Sequence, residues 1–233
     1  MTVESSSSAS ESFCIRPPKA WELYFYGFVR TLVVLINRSA WRVKVIGADK
    51  LPPGPFILAP VHRSNLDTLL VASLTTRRLR YMGKDGVWKY KLVGTILSAL
   101  GSFPVHRGIA DRDAMRRCNL VLSGGEPLVL FPEGTRKSGP VVEGLFEGAA
   151  YIALKGKVPI VPVGIGGSEK AWSKTKKLPR PAKVVLIVGD PIYPETNQES
   201  DRVTRSSLSK LSQDLNHALQ QLFDEAQSFV ESK

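Results

Sequence analysis

The chain is short of cysteine, histidine and acidic residues, and each shortage removes a class of function. Two cysteines, Cys14 and Cys118, make no disulfide framework, so a packed core must hold the 233 residues together. Neither has the surroundings of a nucleophile, and no G-x-S-x-G elbow is present, which argues against a serine or cysteine hydrolase. The three histidines form no histidine–cysteine group at ligand spacing, so no metal is implied. Long apolar runs are missing too. The stretch from Leu23 to Ile36 is 14 residues with Arg30 inside it, where a spanning helix needs roughly 20 apolar residues. Residues 1–12 are polar and low in complexity, without the positive start and early apolar segment of a signal peptide. Residues 1–17 are expected to be a disordered polar tail. No internal repeat is present.

What the chain has in excess is positive charge. Thirty-two Lys and Arg against 21 Asp and Glu leave a net +11 and a pI near 9.8. Such an excess calls for an anionic partner: nucleic acid, an anionic membrane surface or a phosphorylated small molecule. The cations cluster between Arg77 and Lys91, with only Asp85 among them, and between Lys170 and Lys183, with no acid at all. No zinc-finger spacing, aromatic RNA-binding block or recognition-helix motif accompanies them, so a nucleic-acid partner is not expected.

Residues 18–42 read as an interfacial helix. The segment is dense in apolar residues, and Trp21, Tyr24, Tyr26 and Trp41 are of the types favoured at a membrane–water boundary. Arg38 and Arg42 are positioned for anionic head groups. The alternative is a helix that covers the domain's own core. From Trp41 onward strands and helices alternate. A half-exposed strand at 41–45 precedes a buried one at 56–60 and a helix from about 65 to 76. Short strands near 79–82 and 103–105 are interleaved with helices near 88–100 and 113–122. The apolar runs at 128–131, 160–163 and 184–188 suit strands covered on both faces. A long amphipathic helix from 201 to 231 closes the chain, with Leu208, Leu211, Leu215, Leu219 and Leu222 at helical spacing. The pattern predicts an α/β fold: a mixed, largely parallel sheet flanked by helices.

Two segments carry chemistry. His62-Arg-Ser-Asn-Leu-Asp67 follows the apolar run 55–61, and Phe131-Pro-Glu-Gly-Thr-Arg136 follows the run 127–130. A histidine titrates near neutral pH, and a carboxylate can fix its tautomer and stabilise the imidazolium. Across a strand-to-helix turn the chain can fold His62 back to Asp67, which would free its other ring nitrogen to take a proton from a hydroxyl. Ser64-x-x-Asp67 is also a capping pattern, so Asp67 has a second possible role. Arg136 can grip a phosphate monoester bidentately, with Gly134 allowing a tight turn and Thr135 offering a hydroxyl. Glu133 orders that loop. A base and an anion clamp at strand ends suggest transfer chemistry on a phosphorylated substrate. The same offset recurs at His106 and Asp111, but Gly108 intervenes and Asp111 leads into a helix; His217 lies on the polar side of the last helix.

Together the segments resemble the glycerolipid, or lysophosphatidic acid, acyltransferase family, whose first block is H-x-x-x-x-D and whose third ends a strand in F-P-E-G-T-R. Gly83-Lys84 with Gly101-Ser-Phe-Pro-Val-His-Arg107 is similar to the second block, and Val158-Pro-Ile-Val-Pro-Val163 to the fourth. His106, before Arg107, departs from the acidic or polar residue usual there. The resemblance implies that 43–233 is a catalytic domain with His62 and Asp67 catalytic, and with Lys84, Arg107 and Arg136 on the substrate phosphate. It implies acyl transfer from acyl-coenzyme A or acyl carrier protein, used as substrate with no bound cofactor, to lysophosphatidic acid, giving phosphatidic acid. Glycerol-3-phosphate or another lysophospholipid is the alternative acceptor. The N-terminal segment then belongs on membrane phospholipid, peripheral or monotopic at the cytoplasmic face. Parallel strands would collect His62, Arg107 and Glu133–Arg136 on one sheet edge. Gly164–Gly167 would line a pocket there, and amides near Asn65 would hold the oxyanion.

Overall fold

Continuous apolar runs become neighbouring strands in the computed structural model, which describes residues 17–105, 112–195 and 202–232. In chain order the elements are α1 (Ala20–Ala40), β1 (Lys44–Ile46), β2 (Ile57–Pro60), α2 (Asp67–Leu70), β3 (Arg80–Lys84), α3 (Lys91–Ala99) and β4 (Ser102–Val105). There follow α4 (Arg112–Ser123), β5 (Leu128–Val129), α5 (Gly148–Gly156), β6 (Ile160–Gly166), α6 (Ser168–Trp172), β7 (Val185–Val188) and α7 (Arg205–Glu231). The strands form one seven-stranded sheet in the order β1-β7-β6-β2-β5-β3-β4. Neighbours run parallel except β6 and β7, so the fold is α/β with a mixed, mostly parallel sheet.

Central strands β2, β6 and β7 are buried at every position, as continuous Val, Ile and Leu runs require when helices cover both faces. The connections β2–α2–β3 and β3–α3–β4 step one way across the sheet, while β4–α4–β5 and β5–α5–β6 step back. Right-handed crossovers therefore put α2 and α3 on one face and α4 and α5 on the other. Helix α1 joins α2 and α3, and α7 joins α5 against β6 and β7.

Several elements differ from their predicted extents. The helix expected over 65–76 is a single α turn, Asp67–Leu70, and then a 3₁₀ turn, Val71–Ser73. Asn37 of α1 explains the change: its amide donates to the Leu69 carbonyl at 3.0 Å and to Ser73 Oγ at 2.9 Å, taking an acceptor the α-helix would use. The first strand starts at Lys44, because Arg42 sits at φ 42° and Trp41 turns inward to donate its indole N–H to the Arg180 carbonyl at 3.0 Å. Helix α5 was not expected from the sequence.

Gly164–Gly167 lines no pocket. Gly164 and Gly166 lie inside β6 beneath α7, where an added Cβ would meet the Leu222 and Ala226 carbonyl oxygens at 2.2 Å. These glycines let helix and strand backbones touch. The three arginines that open the first basic run turn inward, while its Lys89 and Lys91 are exposed. Arg77 donates to the Pro52, Gly54 and Gly125 carbonyls, and Arg78 and Arg80 share Glu126. Burial lowers the Arg80 pKa, and the Glu126 carboxylate opposes that shift.

Candidate active site

The carboxyl ends of β2 and β5 are adjacent because the two strands pair in parallel, Ile57 with Leu128 and Leu58 with Val129. The chain leaving β2 carries His62 and the chain leaving β5 carries Glu133, so the two motifs meet at one sheet edge. They are bound to each other at several points. The His62 amide donates to Glu133 Oε2 at 2.7 Å, and the His62 carbonyl accepts from the Lys137 amide at 2.9 Å. The His62 ring stacks on Phe131 with centroids 4.2 Å apart and planes tilted 29°.

Asp67 reaches back across the turn, as its place just after a strand-to-helix corner allows. Its Oδ2 lies 3.0 Å from His62 Nδ1 and accepts from the Arg63 and Ser64 amides, both at 2.7 Å. The carboxylate therefore caps the turn and orients the imidazole together. Ser64 completes only half of a capping box: its hydroxyl accepts from the Leu66 amide and donates to the Trp172 carbonyl. The Asp67 side chain is wholly buried, while that of His62 keeps 18% of its surface exposed. With Nδ1 committed to Asp67, Nε2 is left without a hydrogen bond among the described residues. The arrangement is a proton acceptor with one nitrogen anchored and the other open to a substrate hydroxyl.

Arg63 went unread in the sequence, and it is a central brace of the site. Its guanidinium, 1% exposed, pairs with Glu133 Oε1, donates to the Val141 carbonyl at 2.9 Å and lies over the Phe223 ring at 5.0 Å. Glu133 thus holds the His62 amide with one oxygen and Arg63 with the other. No local pattern could disclose this, because the partner stands 70 residues away. Trp172 was missed for the same reason; its carbonyl accepts from Ser64 Oγ at 2.7 Å and the Asn65 amide at 3.2 Å.

The anion-binding side is more open. Gly134, at φ 65°, turns the loop, and its amide returns to the Phe131 carbonyl at 3.0 Å. Gly134 and Thr135 are exposed, and Arg136 is half-buried, makes no ion pair among the described residues and immediately precedes the Lys137 amide on His62. Lys84 ends β3, opposite Val105 of β4; its side chain, and all of His106, Arg107 and Asp111, lie outside the described residues. The oxyanion donors expected near Asn65 are not free. The amides of residues 63–66 are taken by Asp67, Trp172 and Ser64. Burial pushes the Cys118 thiol up to about 12, so it remains protonated and inert. Of the second basic run, Lys174, Lys176 and Lys177 are exposed on the loop after α6, whose root holds Ser64 and Asn65.

The acyltransferase family model matches residues 42–166, which contain both motifs. A 1-acyl-sn-glycerol-3-phosphate acyltransferase of Bacillus subtilis is 31% identical over 170 residues, 72% of this chain and 82% of that protein. A chloroplastic 1-acyl-sn-glycerol-3-phosphate acyltransferase of Brassica napus is 25% identical; it covers 82% of this chain, which spans 56% of its length. Among solved structures, the 1-acyl-sn-glycerophosphate (LPA) acyltransferase of Thermotoga maritima superposes with a TM-score of 0.67 at 22% identity, covering 86% of each chain.

Proposed function

The chain belongs to the acyltransferase family, and from that membership we propose that it acts as a 1-acyl-sn-glycerol-3-phosphate acyltransferase. It moves a fatty acyl group to the free hydroxyl of lysophosphatidic acid and forms phosphatidic acid. The observation that carries the reading is the His62–Asp67 pair, with Nδ1 anchored and Nε2 open, joined through the Lys137 amide to the loop that bears Arg136.

The chemistry follows from that geometry. His62 Nε2 takes the proton of the glycerol hydroxyl while Asp67 stabilises the imidazolium. The oxygen attacks the thioester carbonyl, the carbon–sulfur bond breaks, and the leaving thiolate takes the proton from His62. Arg136, with Lys84 and Arg107, binds the acceptor phosphate and so selects the hydroxyl presented to Nε2. The donor is acyl-coenzyme A or acyl carrier protein. Lys174, Lys176 and Lys177, exposed beside the segment that follows His62, give a positive surface suited to either anionic carrier.

The protein attaches to the cytoplasmic face of the membrane as a peripheral or monotopic protein through residues 18–42. No helix among the described residues is long and apolar enough to cross a membrane. Support for surface attachment comes from the orientation of α1. It buries Glu22, Tyr26 and Asn37 and exposes Trp21, Tyr24, Phe28, Leu32 and Leu35. Tyr26 and Trp41, read from sequence as boundary residues, are instead buried against the domain. The exposed stripe is the one a helix in the plane of a bilayer places in the acyl region.

The test is acyl transfer to lysophosphatidic acid from each donor, with glycerol-3-phosphate as a parallel acceptor. His62→Ala is expected to lower turnover by roughly 10²–10⁴-fold in a folded protein, and near-normal turnover would remove His62 as the base. Arg136→Ala is expected to raise the KM for phosphorylated acceptors only. A similar loss on an unphosphorylated acceptor would remove it from the clamp.

A further inference from the structure

We propose that α3, with the turn before it, is a second and separate membrane-contact element. It would insert Tyr90, Leu92, Val93 and Ile96 into the same anionic lipid surface that receives α1. The inference rests on the membrane reading given above and adds a second foot to it.

Helix α3 has an unpartnered apolar face. Tyr90 and Leu92 are 71% and 75% exposed, and Val93 and Ile96 are 42% and 40% exposed. Leu92, Val93 and Ile96 stand at i, i+1 and i+4, so they share one side of the helix. The opposite side carries Gly94, which is buried and lies against Trp88 closely enough that an added Cβ would meet its ring at 2.9 Å. The Trp88 indole donates to Ser98 Oγ at 3.0 Å, which ties the preceding turn to the helix. The apolar residues are thus held outward by a rigid seat. Their exposure does not come from loose packing.

Charge and position identify the occupant. Lys89 and Lys91 flank the apolar side chains and are exposed, and Asp85, half-buried, is the one acid between residues 84 and 100. On α1 the acid Glu22 is buried, while Lys19 and Arg38 are exposed, as is Arg42 just beyond it. Apolar and aromatic groups bordered by cations suit an anionic bilayer surface. Helices α1 and α3 touch on one face of the sheet, so the two helices with exposed apolar side chains are neighbours. One helix leaves a protein free to rotate about its axis on a surface, and two fix its orientation. The strand leading into α3 ends at Lys84, and the strand that pairs with it leads to Arg107, so the second foot adjoins the strand ends assigned to the phosphate.

Vesicle flotation with the full chain tests this, using phosphatidylglycerol–phosphatidylcholine vesicles and phosphatidylcholine vesicles alone. Wild type is expected to float with the anionic vesicles. The L92E/I96E variant should keep the wild-type circular dichroism and thermal midpoint, yet lower the partition coefficient by about tenfold or more. If it partitions as wild type while F28E/L32E is released, α3 is not a contact and only α1 binds. If wild type itself does not float, the membrane reading fails and this inference with it. A label at Leu92→Cys, in a Cys14→Ser background where the remaining Cys118 is buried, supplies a positive signal. Blue-shifted emission of an environment-sensitive fluorophore on anionic vesicles is expected, and unchanged emission overturns the proposal. Sedimentation of lipid-free protein closes the other route. A wild-type dimer that L92E/I96E dissociates would reassign the face to a second copy of the chain.

Discussion

Helices α1 and α7 are both long and amphipathic, and they face opposite ways. On one face of the sheet, α7 buries Leu211, Leu215, Leu219, Phe223 and Ala226 and turns its polar residues outward, the usual arrangement for a helix against a core. On the other face, α1 turns Glu22, Tyr26 and Asn37 inward and leaves Trp21, Tyr24, Phe28, Leu32 and Leu35 exposed. Helix α7 is held by burial of apolar area. Helix α1 is held largely by hydrogen bonds: Tyr26 to the Arg77 carbonyl, Arg30 to the Thr75 carbonyl, and Asn37 to Leu69 and Ser73. The same amphipathicity therefore serves the fold in one helix and an outside surface in the other. The α1 attachment also touches the chemistry, because Leu69 and Ser73 lie on the segment that begins with Asp67.

The largest expected effect separates the helices by stability. Leu219→Ala, at a wholly buried position, should cost about 2–5 kcal/mol. Leu32→Ala, at a residue 49% exposed, should change stability by no more than about 0.5 kcal/mol and weaken vesicle binding instead. Urea denaturation of both variants checks the contrast. Equal losses would mean that α1 is packed like α7 and that its apolar side faces protein.

This contrast also marks how far the sequence could be read. Strand runs and the heptad-like leucines of α7 were legible because both are local patterns whose burial follows from their period. The HRSNLD and FPEGTR segments were legible for the same reason, and the turn that brings Asp67 to His62 was implied by the strand-to-helix corner. Helix α1 was legible as apolar, but not in its orientation: which side faces inward depends on Leu69, Ser73 and Arg77, more than 30 residues on. Arg63 was illegible, since a buried guanidinium looks like a surface one until Glu133 is set beside it. Arg77, Arg78 and Arg80 read as part of a basic cluster for an anionic partner, and they turn inward onto the Pro52, Gly54 and Gly125 carbonyls and Glu126, which the local sequence does not disclose. Gly164 and Gly166 read as a pocket because the sequence gives no sign of α7 crossing above them.

A smaller effect is expected inside the α1 interface. Asn37→Leu fills similar space but removes the donor to the Leu69 carbonyl and Ser73 Oγ, in a position with no exposure. Losing the two part-buried bonds should cost about 1–3 kcal/mol. Because Leu69 lies in the turn that begins with Asp67, kcat for acyl transfer should fall as well. An apolar substitution that raised stability would show that the inward polar side of α1 is not what fixes it to the domain.

The smallest effect tests whether α1 opens as a unit. The Tyr26 hydroxyl accepts from the Leu79 amide at 3.2 Å and donates to the Arg77 carbonyl at 3.2 Å, and burial raises its pKa. Tyr26→Phe keeps the ring and loses both bonds, a change worth about 1 kcal/mol. Global unfolding in urea should barely register it. Amide hydrogen exchange should, because a helix held by a few polar contacts opens locally at lower free energy than one seated in the core. Amides of α1 should exchange faster than those of α7 in the wild type, and faster again in Tyr26→Phe, with α7 unchanged. Anionic vesicles should slow α1 in both proteins, since a bilayer on the exposed side adds the apolar burial that the domain does not supply. If α1 and α7 exchange together, by global unfolding alone, the two helices are equally part of the core and the difference in their orientation carries no difference in stability.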